Sequence, residues 1–331
     1  MVIRAIGCVR NGIWKAKNSK VPSSSMVALW YPDQSEAGMG AHAHLYLCRI
    51  KSVTQAYAFL QKQLQQKQQD SILTFAEKIQ LARIKNPQVR LNYGLGRILL
   101  RSVLAKTLQA KPAELPLIRS ATGKPELAEQ QTSSPLHFNL SHSGTLLALA
   151  VSRYGVIGTD VENTNRRVPA ETIIRRFFSA EEQCYFRNLS SAAARQQYFF
   201  TLWTVKEALL KMTGDGLSYG LHQFHVAIKS TKKTNAKNHA GKSMENIFTT
   251  HNPSAYDARI RQVRQHMQLL GHVPSGIHQA KLYGAVYHYL EDYIVTVFAQ
   301  NIRRVVLLES DYQAESVRAL PLPLQVVYMP H

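Results

Sequence analysis

The sequence predicts an α+β fold, and the order of its elements allows two similar halves in one chain. Apolar residues repeat at helical spacing over 90–108, and residues 195–212 form a second long predicted helix. Residues 136–152 and residues 282–300 each have the pattern of two paired strands. We expect an N-terminal extension at residues 1–70 that is part of the first half, and the rest of that half at residues 71–155. The second half is expected at residues 156–331, with a lysine-rich insertion at 229–280 within it.

The first half is predicted to begin with helices. Residues 52–69 are rich in glutamine and predict an exposed helix, and residues 71–84 can form another. Pro87 interrupts the helical pattern before the long helix over 90–108. Gly123-Lys124-Pro125 is a turn signal, and the first strand pair follows it.

The second half is predicted to begin with a strand over 156–162. Ser179 is a predicted helix N-cap, because Glu182 three residues later completes a capping box. Polar residues 229–258 contain few core side chains and predict a surface insertion. Apolar residues at three- and four-residue spacing then predict one amphipathic helix, at Ile260, Val263, Met267 and Leu270.

The formal net charge of +19 over 331 residues is the most unusual bulk property. It predicts attraction to something acidic: nucleic acid, a membrane surface, a phosphorylated cofactor or an acidic protein. No apolar run approaches the roughly 20 residues needed to span a bilayer, and residues 1–15 lack the apolar stretch of a signal peptide. The three cysteines are widely spaced, so we expect free thiols in a cytoplasmic protein.

Two short segments carry the candidate chemistry. Asp160 and Glu162 are two residues apart in a predicted strand, so their side chains point to the same face. Trp203, Glu207 and Lys211 are four apart in a predicted helix and share one stripe. If the strand and the helix meet, three carboxylates and an ammonium converge. Such a set suits Mg²⁺ and the charge of a phosphate.

Each segment also has an ordinary structural interpretation. The acidic pair taken alone is typical of a solvated strand edge. Glu207 and Lys211 alone are typical of a salt bridge within a helix, which contributes about 0.3 kcal/mol. The whole pattern, and not either pair, distinguishes the two interpretations.

The segments Gly158-Thr159-Asp160-Val161-Glu162 and Trp203-Thr204-Val205-Lys206-Glu207-Ala208 resemble the two signature motifs of the 4′-phosphopantetheinyl transferases, in the larger Sfp-like group. Gly123-Lys124-Pro125 and Phe138-Asn139-Leu140-Ser141-His142-Ser143-Gly144 resemble two weaker motifs of the family and occur in the same order. The resemblance covers residues 71–228 well and the final strand pair loosely.

The resemblance implies a function and a set of site residues. The function is Mg²⁺-dependent transfer of the phosphopantetheine arm of coenzyme A to a serine of an apo carrier protein, with release of 3′,5′-ADP. The cofactor would bind between the two halves. The implied metal ligands are Asp160, Glu162 and Glu207, and the implied catalytic residues are Glu207 as general base and Lys211 as phosphate contact. The implied contacts to coenzyme A are Arg90, Lys124, Pro125, Ser141, His142, Asp160 and Lys211.

Other residues of these motifs are expected to play lesser parts. Arg97 and Lys78 are further candidates for the 3′-phosphate of coenzyme A. Trp203 is predicted to be a packing anchor. Lys206 lies about 100° around the helix from Glu207 and is expected to face elsewhere.

We therefore expect a monomeric cytoplasmic transferase whose partner is an acidic acyl, peptidyl or aryl carrier protein, without membrane association. A nucleic-acid-binding protein is the alternative, because of the charge and the lysine cluster at 229–242. It is disfavoured because no recognition helix, zinc site or aromatic RNA motif is present. A degenerate family member that only binds carrier proteins is a third hypothesis, and the presence of Asp160, Glu162, Glu207 and Lys211 argues against it.

Overall fold

The structure is a computed structural model. It describes residues 42–120, 122–128, 135–229, 260–263, 266–271, 274, 282–290, 292–302, 304–312 and 325–327. All of the predicted surface insertion at 229–258 except Lys229, most of the lysine cluster and the residues before 42 lie outside these ranges.

The described residues form an α+β fold. Its helices are α1 Val53–Gln65, α2 Phe75–Arg83, α3 Pro87–Leu108, α4 Ala170–Phe177, α5 Ala180–Arg187 and α6 Ala192–Thr213. Its strands are β1 His42–Ile50, β2 Leu117–Arg119, β3 Pro125–Leu127, β4 His137–Ser143, β5 Leu146–Ser152, β6 Ile157–Asn163, β7 Phe224–Lys229, β8 Ile260–Val263, β9 His266–Gly271, β10 Leu282–Tyr289, β11 Tyr293–Gln300, β12 Arg304–Tyr312 and β13 Gln325–Val327. None of the described helices has both the length and the apolar character that crossing a membrane requires.

The predicted N-cap of α5 is confirmed. Ser179 caps α5 in a capping box with Glu182, and Gly214 ends α6 in the left-handed conformation. The interruption of the helical pattern at Pro87 is also confirmed: α2 ends at Arg83, and Pro87 is the first residue of α3, where a missing N–H is harmless.

The helix predicted over 52–69 exists as α1, but the prediction that it is exposed was wrong. One face of α1 is buried through Ala56, Phe59, Leu60 and Gln63. Positions 56, 59, 60 and 63 lie on one side of a helix, so they form a buried and mostly apolar face that the many glutamines obscured.

The single amphipathic helix predicted from Ile260 to Leu270 was also wrong. Residues 260–263 form β8, which pairs with β10, and residues 266–271 form β9, which pairs with β7. Each half of the segment is too short to show whether its apolar residues repeat every two positions, as in a strand, or every three to four, as in a helix. The pattern therefore does not exclude two strands. The neighbouring strands supply the backbone hydrogen bonds that decide between them.

Two main sheets organise the fold. The first has the strand order β13-β12-β1-β5-β4, and the second has the order β6-β11-β10-β8. β12 is close to the C-terminal end of the chain but lies parallel to β1 in the first sheet. The sheets therefore do not divide at a single point along the chain.

Three groups of buried side chains hold these layers together. One lies between α1, α2 and α3 and the first sheet, and another lies between α4, α5 and α6 and the second sheet. The third contains side chains from strands of both sheets. The edge strands β4 and β6 of the two sheets lie side by side, and three β4 side chains accept hydrogen bonds from β6 backbone N–H groups: Asn139, Ser141 and Ser143.

Candidate active site

A close approach of α6 to β6 creates the candidate site. Gly158 makes this approach possible, because a Cβ at that position would overlap the backbone of Ala208 and Met212. The overlap involves backbone atoms, so no side-chain rotation could relieve it. The glycine that precedes the acidic pair therefore sets the distance between the strand and the helix.

Asp160 and Glu162 share the face of β6 that points to α6. They are only 4% and 8% exposed, so neither is the solvated edge carboxylate of the ordinary interpretation. Thr159 points to the opposite face, where its hydroxyl donates to the carbonyl of Thr296 at 2.8 Å. The predicted alternation along this strand is confirmed.

One oxygen of Asp160 is held by two donors. Lys211 Nζ lies 2.5 Å from Asp160 Oδ1, and Ser141 Oγ donates to the same oxygen at 2.7 Å. Lys211 also lies 3.1 Å from Ser141 Oγ. The structure thus brings together three predicted site residues from β4, β6 and α6.

Glu162 is engaged at both oxygens. Ser143 Oγ donates to Oε2 at 3.0 Å, and Arg166 Nη2 lies 3.1 Å from Oε1. The prediction of site residues did not include Ser143 or Arg166. The alternation of polar side chains at 139, 141 and 143 on β4 was the available signal for Ser143. Arg166 follows the strand in a loop and gave none.

Glu207 projects from α6 into the same region and is half-buried. Burial, together with the carboxylates of Asp160 and Glu162, raises its pKa to about 7 against the opposing effect of Lys211. Burial and the neighbouring Asp160 likewise raise the pKa of Glu162. Burial disfavours the charge of Lys211, but the surrounding carboxylates outweigh it and raise the pKa of Lys211. The site thus concentrates negative charge that one lysine does not neutralise.

The donor set fits a hard divalent cation. Among the residues that the structure describes, no three acidic, histidine or cysteine side chains already surround one point as metal ligands. However, Asp160 Oδ2 is buried and has no hydrogen-bond partner, which is costly unless something positive occupies its neighbourhood. The raised pKa of Glu207 indicates the same unmet need. Carboxylate oxygens of this kind suit Mg²⁺.

The other predicted contacts lie at varying distances from this centre. Lys124 extends to the C-terminal end of α6, where its Nζ donates to the carbonyl of Lys211 at 2.9 Å, and Pro125 begins β3 beside it. His142 is exposed on the β4 face that points to α3, with Nδ1 3.5 Å from Asn92 Nδ2. Arg90 is half-buried, near the start of α3.

The two further phosphate candidates have other partners. Arg97 Nε lies 2.5 Å from Glu77 Oε1, and the buried Arg101 lies 2.7 Å from the other oxygen. The two arginines outweigh the effect of burial and lower the pKa of Glu77. Lys78 donates to the carbonyl of Gln66 at 2.7 Å. Both cations are thus used in packing α2 against its neighbours.

The two remaining motif residues on α6 are structural, as expected. Trp203 stacks with Phe178 and Phe199. Lys206 faces away from the carboxylates and forms a buried ion pair with Glu182 at 2.9 Å.

Glu207 makes the metal-free protein less stable as the pH rises. Its pKa is about 7 in the folded state and 4.5 ordinarily, so the folded state holds a proton in this interval that the unfolded chain has released. The group therefore destabilises the fold increasingly as the pH rises from 4.5 to about 7. In EDTA, we expect Glu207→Gln to raise the free energy of unfolding near pH 8 by up to about 3 kcal/mol and to have much less effect at acidic pH. Urea unfolding of both proteins at the two pH values measures this, and an equal difference at both would contradict it.

Comparison with known proteins identifies the family. A profile described as the 4′-phosphopantetheinyl transferase superfamily matches residues 156–262, and a profile of the N-terminal part of 4′-phosphopantetheinyl transferases matches residues 51–153. These two segments contain both signature motifs and both weaker motifs.

Individual relatives agree with the profiles. The chain is 36% identical over 146 residues to the 4′-phosphopantetheinyl transferase HetI of Nostoc sp., covering 44% of this chain and 61% of the relative. It is 34% identical over 136 residues to the 4′-phosphopantetheinyl transferase Sfp of Bacillus subtilis, covering 40% and 57%. These alignments span less than two thirds of either relative. With the 4′-phosphopantetheinyl transferase ffp of Bacillus subtilis, identity is 32% over 174 residues, covering 51% of this chain and 74% of the relative. The chain belongs to the 4′-phosphopantetheinyl transferase superfamily.

Proposed function

We propose that this protein transfers the 4′-phosphopantetheine group of coenzyme A to a serine of an apo carrier protein, in a Mg²⁺-dependent reaction that releases 3′,5′-ADP. The observation that carries the proposal is the convergence of Asp160, Glu162, Glu207 and Lys211 between β6 and α6, in a chain of this superfamily. Three carboxylates and one lysine in a partly buried site suit a cation and a pyrophosphate.

In the proposed reaction the serine oxygen attacks the pyrophosphate phosphorus that carries the pantetheine arm. A new P–O bond forms, the bond to the bridging oxygen breaks, and 3′,5′-ADP leaves. Glu207 accepts the serine proton as general base. Lys211 neutralises charge on the phosphates. Held by Asp160, Glu162 and Glu207, Mg²⁺ would supply further charge neutralisation on the pyrophosphate oxygens.

The cofactor is proposed to lie where the two sheets adjoin. Lys124 and Ser141 come from elements before residue 156, whereas Asp160 and Lys211 come from elements after it, and all four lie around one end of α6. A ligand bound there would contact both halves. The similarity of the two halves and a monomeric, cytoplasmic state belong to the same proposal.

An acidic carrier protein is the proposed partner. The net charge of +19 would accelerate encounter with an acidic protein through electrostatic steering, an effect that weakens as salt rises. Nucleic acid would be attracted by the same charge, so the partner assay must include it as a competitor.

Intact-mass analysis tests the proposal directly. The protein is incubated with coenzyme A, MgCl₂ and apo carrier proteins of the acyl, peptidyl and aryl types, and a mass gain of one phosphopantetheine is the expected result. A carrier whose acceptor serine is replaced by alanine and a reaction with EDTA are the controls. No mass gain on any carrier, together with tight salt-sensitive binding of nucleic acid, would favour the alternative function.

Glu207→Gln separates a base from a simple ligand. Glutamine keeps the size and one oxygen of the side chain but cannot accept a proton. We expect kcat to fall by about 10²-fold or more, while the affinity for coenzyme A changes much less. Steady-state kinetics with varied coenzyme A measures both. A raised KM at unchanged kcat would show that Glu207 only binds.

A further inference from the structure

The contact between β4 and β6 repeats every two residues. Ser141 Oγ accepts from the N–H of Val161 at 3.4 Å and donates to the carboxylate of Asp160 at 2.7 Å. Two residues later, Ser143 Oγ accepts from the N–H of Asn163 at 3.0 Å and donates to the carboxylate of Glu162 at 3.0 Å. Each serine thus joins a carboxylate to the N–H of the residue that follows it.

The preceding position in this repeat supports the same interpretation. Asn139 Oδ1 accepts from the N–H of Thr159 at 3.0 Å. The residue before Thr159 is Gly158, which has no carboxylate to receive a proton. An amide oxygen is sufficient there, and hydroxyl groups occur only at the two positions that face a carboxylate.

The hydrogen bonds of Ser143 fix the direction of its hydroxyl proton. A serine hydroxyl has one proton to donate, and because Asn163 N–H occupies an acceptor site, that proton is directed to Glu162 Oε2. Ser143 is buried in a strand, and the N–H that anchors it belongs to another strand. This hydrogen bond is therefore rigid compared with one between surface side chains.

The second partner of Glu162 differs in these respects. The side chain of Arg166 is 53% exposed and extends from a loop to Oε1. An exposed pair of this kind contributes little free energy and exchanges readily with solvent or other ions. Glu162 thus has one fixed oxygen and one oxygen whose partner can be replaced.

We propose that Ser143 is a positioning residue, which holds Glu162 so that Oε1 is available to a divalent cation in place of Arg166. The proposal rests on the proposed function only in taking Glu162 as a cation ligand. Hydrogen-bond partners of ligand side chains affect metal affinity by about 10- to 100-fold. Ser143 and Arg166 should differ in this effect, although both contact the same carboxylate.

Titration with Mn²⁺, followed by electron paramagnetic resonance in the presence of coenzyme A, measures the effect without reference to turnover. Ser143→Ala is expected to raise the Kd for Mn²⁺ by about 10- to 100-fold. Ser143→Thr, which keeps the hydroxyl, should recover most of the affinity. Arg166→Gln should leave the Kd unchanged or lower it, because it removes a competitor of the cation.

Ser102→Ala is the matched control, because it also removes one buried serine hydroxyl, in this case one without a hydrogen-bond partner. It should leave the Kd for Mn²⁺ unchanged and should not lower the melting temperature. An unchanged Kd in Ser143→Ala would overturn the proposal, and so would an equal loss in Arg166→Gln. If the wild type and its variants bind Mn²⁺ in the expected order of affinity but the wild type modifies no carrier protein, the proposed function fails and the positioning role stands. A wild type that binds no Mn²⁺ overturns the positioning role, whatever the outcome of the transfer assay.

Discussion

Asp160→Asn is expected to reduce phosphopantetheine transfer by about 10³-fold or more while leaving the fold intact. The amide keeps the size of the side chain and one oxygen for Ser141 and Lys211. It lacks the negative charge that pairs with Lys211 at 2.5 Å, and it replaces an anionic oxygen that is buried without a partner by a weaker ligand. Binding of a cation and neutralisation of the lysine both depend on that charge.

The prediction is tested by kcat/KM for carrier modification at saturating Mg²⁺, with circular dichroism and thermal unfolding as controls of folding. Asp70→Asn is the matched control, because Asp70 is an exposed residue of the short 3-10 helix at Gln68–Asp70 and has no part in the candidate site, and its turnover should equal that of the wild type. Near-normal turnover of Asp160→Asn at high Mg²⁺ would contradict the assignment of Asp160. A comparable loss in both variants would show that the assay responds to general destabilisation.

The elements that form the site could be predicted because their signals are local. The β4–β5 strand pair, β6 and α6 each lie within a short segment whose residue pattern indicates its own secondary structure. Whether the strand and the helix come close enough to form a site could not be predicted from their sequence patterns. Gly158 makes that approach possible, since only the absence of a Cβ at this position allows α6 to lie so close to β6.

The features that the sequence analysis mistook or missed depend instead on partners that are distant in the chain. β12 pairs with β1 in parallel, although the two strands come from opposite ends of the described chain. β8 and β9 are strands because β10 and β7 lie beside them. The link from Ser143 to Glu162 requires two sheet edges to adjoin. The strand pairings leave no periodic pattern within one segment, and the polar alternation on β4 points to Ser143 without indicating its partner.

Lys206 is a motif residue whose contacts are structural. Its side chain is 0% exposed, lies 2.9 Å from Glu182 Oε2 and donates to the carbonyls of Leu221 and Phe224, each at 2.6 Å. Burial lowers the pKa of Lys206, and Glu182 opposes this shift. Glu182 in turn accepts from the N–H of Val226 at 3.0 Å. This ion pair joins α5, α6 and the start of β7 behind the site.

Lys206→Met is therefore expected to destabilise the fold by about 3–5 kcal/mol, because it leaves the carboxylate of Glu182 buried without its counter-ion. Urea unfolding measures the change. The double variant Lys206→Met/Glu182→Gln should recover part of the loss, since glutamine can still accept from Val226 without carrying a charge. Lys111→Met breaks an ion pair whose lysine is 74% exposed and should cost no more than about 1 kcal/mol. If Lys206→Met were as mild as Lys111→Met, or if it lost transfer activity at full stability, Lys206 would act in the reaction and not in the support of α6.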